Sequence, residues 1–233
     1  MPRVTLFFPM HDERDSVRPM AEKALGVLAG FTPDFELLIV DDGSRDGSGE
    51  LADALAAEDA RVRVVHHAVN RGYGQALRTG FAEARGDIVA YTDCDEPADL
   101  KRLPEAVRLF DDPALDMVIG YRLERDDTPR RWLYSKGCNL LVRVLFGVRV
   151  RDVNFSFKLI RREALRRLSL QAESAFIDGE LLAEAARHGL RVAQIPMVYR
   201  LREHGQSHFD SLGAATAALK DLWRYWRRRS RLA

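Results

Sequence analysis

Short apolar runs rich in Val, Ile and Phe alternate along this chain with longer segments of helical period, and that alternation constrains the fold more than any other feature. The runs lie near Val4–Phe8, Glu36–Val40, Val62–His66, Ile88–Thr92 and Met117–Gly120, with two more at Phe155–Ile160 and Val192–Ile195. Apolar runs of this length suit strands buried on both faces, and helices between successive strands make the connections of a parallel sheet. The spacing predicts helices over Val17–Leu28, over Glu50–Ala57 with Ser48 as N-cap, and over Gly74–Ala84, closed by Gly86. The expected class is α/β: a Rossmann-like, mostly parallel sheet with helices on both faces.

No linker or repeat interrupts the first 120 residues, whereas the later chain adds two amphipathic segments. Over Arg130–Val148 an apolar face of Trp132, Leu133, Leu140, Leu141, Val144, Leu145 and Phe146 is punctuated by Arg131, Lys136 and Arg143. Over Leu212–Arg229 the residues Leu212, Ala215, Leu219, Leu222, Trp223 and Trp226 recur at helical spacing. The second segment carries most of an arginine cluster formed by Arg224, Arg227, Arg228, Arg229 and Arg231. The expected division is one domain over 1–210 and a basic amphipathic helix over 211–233. With 36 basic and 35 acidic residues the net charge is only +1, which gives no reason to expect a nucleic-acid partner.

Three motifs carry chemistry. Val40-Asp41-Asp42-Gly43-Ser44 ends a strand in two acids and a glycine turn, where a carboxylate can meet a base or a ribose hydroxyl, although such a turn by itself is more often only a turn. Asn70-Arg71-Gly72-Tyr73-Gly74-Gln75 opens a helix and would present backbone N–H groups to a phosphate, with a structural turn as the competing reading. Tyr91-Thr92-Asp93-Cys94-Asp95 places two carboxylates at a strand end, where a turn can converge them on one hard cation, Mg²⁺ or Mn²⁺, or where they merely cap the turn.

In order and spacing these motifs, together with Phe8-Pro9-Met10-His11-Asp12-Glu13, resemble family-2 glycosyltransferases of GT-A fold. The later segments Gly120-Tyr121-Arg122, Asp152-Val153-Asn154-Phe155-Ser156-Phe157-Lys158, Phe176-Ile177-Asp178-Gly179-Glu180 and Ile195-Pro196-Met197-Val198-Tyr199-Arg200 are similar to the polyprenyl-phosphate glycosyltransferases, the dolichyl-phosphate mannosyltransferase group. The resemblance covers about residues 3–208. It implies inverting transfer from a GDP- or UDP-sugar to a lipid phosphate. Carried over by position, it places Pro9, His11, Glu13, Asp41, Asp42, Gly72, Gly74 and Gln75 at the donor. Asp93 and Asp95 fall at the metal and diphosphate, and Arg122, Arg131 and Arg202 at the phosphates of the acceptor or the donor, with Ser207 on the same phosphate-facing loop and Arg130 competing for the place of Arg131.

Two departures bear on these expectations. Pro97 stands where the family often has glutamine, and because proline cannot ligate a metal, water, Glu96 or Asp99 is left to complete the coordination. Asp95 then becomes the direct metal contact, with Asp93 beside it. Many relatives also continue into transmembrane helices, whereas no stretch here approaches the ~20 apolar residues of a span, and the N-terminal run is too short for a signal peptide. Cys94 and Cys138 form neither a disulfide framework nor a zinc site, so the expected setting is cytoplasmic, peripheral on the membrane face through Trp223, Trp226 and the arginines.

Other readings stay open at this level. A hydroxyl acceptor would need a base, for which Asp178 and Glu180 are candidates; equally, they could hold an arginine or begin a solvated helix. A non-catalytic nucleotide-sugar-binding module and a nucleotidyltransferase also fit acidic strand ends. His66, His67, His188, His204 and His208 lack metal-ligand spacing and receive no role.

Overall fold

The computed structural model describes residues 3–95, 98–123, 129–198 and 212–230. Its strands are β1 (Val4–Met10), β2 (Phe35–Asp41), β3 (Val62–His66), β4 (Ile88–Tyr91), β5 (Met117–Arg122), β6 (Lys158–Arg161) and β7 (Val192–Met197). They form one sheet in the order β3-β2-β1-β4-β6-β5-β7. The helices are α1 (Arg14–Ala29), α2 (Ser48–Glu58), α3 (Tyr73–Glu83), α4 (Leu103–Arg108), α5 (Pro129–Phe146), α6 (Arg162–Leu165), α7 (Ile177–Arg187) and α8 (Leu212–Arg229).

The pairs β1–β2, β2–β3, β1–β4 and β5–β7 are parallel. The exception is β6, antiparallel to both β4 and β5. It begins at Lys158 rather than at Phe155, because Phe155 and Phe157 bury their rings before the ladder starts.

Side chains alternate across the sheet into two cores. Leu6, Phe8, Leu37, Ile39 and Ala90 pack with Val17 and Met20 of α1, Ala52 of α2 and Leu103 of α4. On the other face Phe7, Leu38, Val40, Val89 and Tyr91 pack with Leu77 and Phe81 of α3, Phe146 of α5, Leu181 of α7 and Tyr225 of α8. Cover on both faces is why the strands read as unbroken apolar runs.

Because α1 and α2 lie on one face and α3 on the other, strand order reverses between β1 and β4. Ligands of open α/β sheets bind outside the carboxyl ends at such a switch point. Here β1 pairs with β2 as far as Met10↔Asp41 but with β4 only to Phe7↔Tyr91. Pro9 lies beyond that last β4 pair, and lacking an N–H it offers β4 no donor, so the two strands part there.

The C-terminal helix α8 is fastened to the second core. Its Tyr225 ring meets Phe146 edge-on at 5.0 Å between centroids, and the Tyr225 hydroxyl donates to Glu184 at 2.8 Å.

Candidate active site

At the end of β2, both acids face inward. Asp41 is 4% exposed; its Oδ1 accepts the Ser44 N–H at 3.0 Å, and its Oδ2 lies 2.8 Å from His66 Nδ1. The other ring nitrogen of His66 lies 2.9 Å from Asp53 on α2. Burial works against ionisation of Asp41, but Ser44 and His66 outweigh it and hold the carboxyl below its ordinary value. Burial likewise lowers the His66 pKa, and the two carboxylates more than reverse that.

Asp42 is 3% exposed and organises the neighbouring loop. Its Oδ1 accepts the Arg71 N–H at 2.9 Å and lies 2.6 Å from His67 Nδ1, while its Oδ2 accepts the Gly72 N–H at 2.8 Å. His67 in turn reaches the Thr79 hydroxyl of α3 at 2.9 Å. Gly43, at φ 74°, sits so close to this loop that a Cβ would lie 2.5 Å from the Val69 carbonyl carbon.

These bonds change the expectation for the glycine loop. The amides of Arg71 and Gly72 are committed to Asp42, and that of Gly74 to the Glu173 carbonyl at 3.0 Å, so these three are not open to a phosphate. Gly74 is packed against backbone, where a Cβ would lie 2.4 Å from the Ala172 oxygen. Gln75 follows in the first turn of α3.

The β4 acids lie just beyond the point where β1 and β4 separate. Asp93 accepts a hydrogen bond from the Tyr73 hydroxyl at 3.0 Å, and both Asp95 oxygens are shielded from solvent. Between them Cys94 is buried, and burial, followed by the charges of Glu13 and Asp93, pushes its thiol well above the ordinary value. Glu13, the residue that precedes α1, thus shares this end of the sheet, while His11 lies 3.6 Å from Asp12. Asp12, at φ 53°, takes the Ser44 hydroxyl oxygen at its N–H and accepts the Arg45 N–H at 2.7 Å, which stitches the β1 turn to the β2 turn.

Glu96 and Pro97 lie outside the described residues, and Asp99 spends Oδ1 on the Lys101 N–H at 3.1 Å. Among the described residues no group of three or more His, Cys, Asp or Glu could hold a metal by itself. Two hard carboxylates nevertheless fit Mg²⁺ or Mn²⁺, since such ions often take one or two carboxylates and complete their shell with water and substrate phosphates.

Asp178 and Glu180, at the start of α7, are not on a solvated turn. Asp178 is 4% exposed and accepts hydrogen bonds from the buried Lys158 ammonium and from the Tyr91 hydroxyl. Glu180 is 1% exposed; Oε2 accepts the Gln171 and Ala172 amides at 2.8 and 2.7 Å, and Arg228 of α8 donates to Oε1 at 2.7 Å. Burial prevails over these donors and raises the Glu180 pKa. Of the three roles the sequence left open, holding an arginine fits Glu180 with Arg228, whereas Asp178 holds a lysine, a partner not among those expected.

Arg122 lies at the end of β5 with its guanidinium forked onto Asp152 at 2.7 and 3.1 Å. Arg131 falls in α5, but its side chain, like that of Arg130, lies outside the described residues, as do Arg202 and Ser207 altogether. Sequence reasoning missed His66, His67, Tyr73 and Asp152. A signal existed for the histidines: they end β3 as Asp41 and Asp42 end β2, and the ladder pairs Asp41 with His66.

The glycosyl transferase family 2 model matches residues 5–169. The chain is 33% identical over 230 residues to the glycosyltransferase AglD of Haloferax volcanii, covering 94% of this chain but only 37% of that protein. It is 32% identical over 233 residues to the polyprenol monophosphomannose synthase of Mycolicibacterium smegmatis, covering 94% of this chain and 85% of the relative. In structure it is similar to the glucosyl-3-phosphoglycerate synthase of Mycobacterium tuberculosis in complex with Mn²⁺ and UDP-glucose, with TM-score 0.71, 24% identity and coverage of 94% and 78%. The fold is thus the α/β GT-A arrangement, and the chain belongs to glycosyl transferase family 2.

Proposed function

We propose that the chain transfers a sugar, with inversion at the anomeric carbon, from a GDP- or UDP-sugar to a polyprenyl phosphate at a membrane surface. One observation carries the donor half: hydrogen bonds join the turns after β1, β2, β3 and β4 at the switch point, through Asp12–Arg45, Asp42–Gly72 and Tyr73–Asp93. In this reading the nucleotide sugar lies at that end of the sheet and is lined by Pro9, His11, Glu13, Asp41, Asp42, Gly72, Gly74 and Gln75. A divalent cation on Asp95 and Asp93 would screen the charge developing on the departing diphosphate. The Mn²⁺ and UDP-glucose held by the structural relative support this reading.

Likeness to the polyprenol monophosphomannose synthase supports the lipid-phosphate acceptor, and so does the state of the two acids. A phosphate oxygen is already anionic and attacks without a base, whereas a hydroxyl needs one. Asp178 and Glu180 are buried and occupied, so neither is disposed to serve. Arg122, with Arg131, Arg202 and Ser207, would orient the acceptor phosphate opposite the diphosphate, a task suited to guanidinium.

The membrane reading is supported by α8 and α5. Leu219, Trp223 and Trp226 are about half exposed, and Leu140 and Val144 more so. Arg224 and Arg227 lie on the exposed part of α8, but Arg228 turns inward to Glu180 and Arg229 lies over Phe146. The basic face is therefore narrower than the sequence suggests.

The test is transfer of radiolabelled sugar from UDP- and GDP-donors to polyprenyl phosphate and to hydroxyl acceptors, with Mn²⁺ and with chelator. Lipid-linked product that requires metal and is lost in Asp95→Asn is expected. Product on hydroxyl acceptors alone overturns the acceptor assignment, and nucleotide binding without any product favours a binding module. Failure to float with anionic vesicles at low salt would remove the membrane reading.

A further inference from the structure

Two tyrosines lie close together beneath the β4 acids and hold different partners. Tyr91, the last residue of β4, donates to Asp178, whose charge is already matched by Lys158. Tyr73, the first residue of α3, donates to Oδ1 of Asp93 at 3.0 Å. The phenol brings no positive charge of its own: this bond fixes the direction of the carboxylate and leaves its negative charge intact.

The placement of Tyr73 is itself constrained. It sits between Gly72, whose amide is held by Asp42, and Gly74, whose amide is held by the Glu173 carbonyl. The backbone that carries the phenol is therefore clamped on both sides, so its hydroxyl is a fixed point against which Asp93 can be held.

We propose that Tyr73 is a positioning residue for the cation of this site: its hydroxyl orients Asp93 and ties the glycine loop of the donor pocket to the metal-binding carboxylates. This rests on the reading of Asp93 and Asp95 as the metal pair. Groups that orient a ligand in this way commonly govern metal affinity by roughly 10- to 100-fold. The tyrosine touches neither sugar nor acceptor in this role, so the chemical step depends on it only through occupancy of the site.

The test is a Mn²⁺ titration of wild type and Tyr73→Phe in the presence of UDP and of GDP, read by loss of the free-Mn²⁺ EPR signal. The Phe variant keeps the ring, and its melting temperature checks the fold. Expected is a Mn²⁺ affinity weakened by roughly 10-fold or more, with metal-free nucleotide binding unchanged and turnover restored at saturating Mn²⁺. In an Asp93→Asn background the same substitution should have no further effect on Mn²⁺ affinity, which keeps the test decisive if the single variant is less stable. Equal Mn²⁺ affinity in Tyr73→Phe and wild type overturns the proposal while leaving the metal pair standing. Absence of Mn²⁺ binding by wild type with either nucleotide overturns the metal reading itself.

Discussion

The carboxylate of Asp42 at the end of β2 accepts the backbone N–H of Gly72 at 2.8 Å, thirty residues away in sequence. With the second bond to Arg71, this fixes the entry to α3 from a neighbouring strand. In Asp42→Asn, one oxygen becomes an NH₂ that cannot accept, and it would face a backbone N–H or His67. Leaving one buried donor unmet costs about 1–3 kcal/mol. Urea unfolding should show that loss, and nucleotide-sugar affinity should fall with it. A variant with wild-type stability would show that the Asp42 bonds do not hold the loop.

The sheet was legible because both its faces are covered, so each strand from β1 to β5 announces itself as an apolar run; β6 was placed early because Phe155 and Phe157 are buried although the strand itself starts at Lys158. The acids were legible because Asp41, Asp42, Asp93 and Asp95 stand where those runs stop. Their partners were not: Asp42 meets His67 across 25 residues, Lys158 meets Asp178 across 20, and Arg228 meets Glu180 across 48. Only packing brings such pairs together, and a buried ion pair has no period to read. This is why Asp178 resembled a catalytic base in sequence.

His66 should make stability depend on pH in a defined direction. Its folded pKa lies above the ordinary 6.5, because Asp41 and Asp53 more than offset the burial that lowers it. Its contribution is complete below 6.5 and fades as pH rises through the folded value. Asp41, held below its ordinary 3.8, contributes above that value and loses the contribution as pH falls through its folded one. The melting-temperature gap between wild type and His66→Gln should therefore be widest between those ordinary values and narrow above pH 6.5. A gap that does not narrow as pH rises above 6.5 through the folded value of His66 removes the assignment.

Lys158 is 1% exposed and Asp178 4% exposed, and each is the counter-ion of the other. Removing one member strands a buried charge, at about 3–5 kcal/mol, whereas replacing both with apolar groups is often close to neutral. Asp178→Leu and Lys158→Met should each lower the denaturation midpoint sharply, and the double variant should recover most of it. If the folded double variant still transfers sugar to lipid phosphate, Asp178 is no base. Activity lost in a stable double variant would return the acid to the list of catalytic candidates.

Asp221 ties α8 to the segment behind the donor loop. Its Oδ2 accepts the amides of Glu173 and Ser174, both at 3.0 Å. The Glu173 carbonyl accepts the Gly74 N–H, and the Ala172 oxygen lies where a Gly74 Cβ would be. A helix whose exposed face carries Trp223 and Trp226 thus supports, through its inner face, the backbone against which the glycine loop rests. Asp221→Ala leaves two amides without their carboxylate, at a cost of about 1–3 kcal/mol, and releases that support. The expected result is a raised KM for the nucleotide sugar with unchanged flotation on anionic vesicles, because the tryptophans are untouched. Truncation before α8 should abolish both donor saturation and flotation. If Asp221→Ala keeps the wild-type KM, the helix serves the core and the membrane face but not the donor pocket.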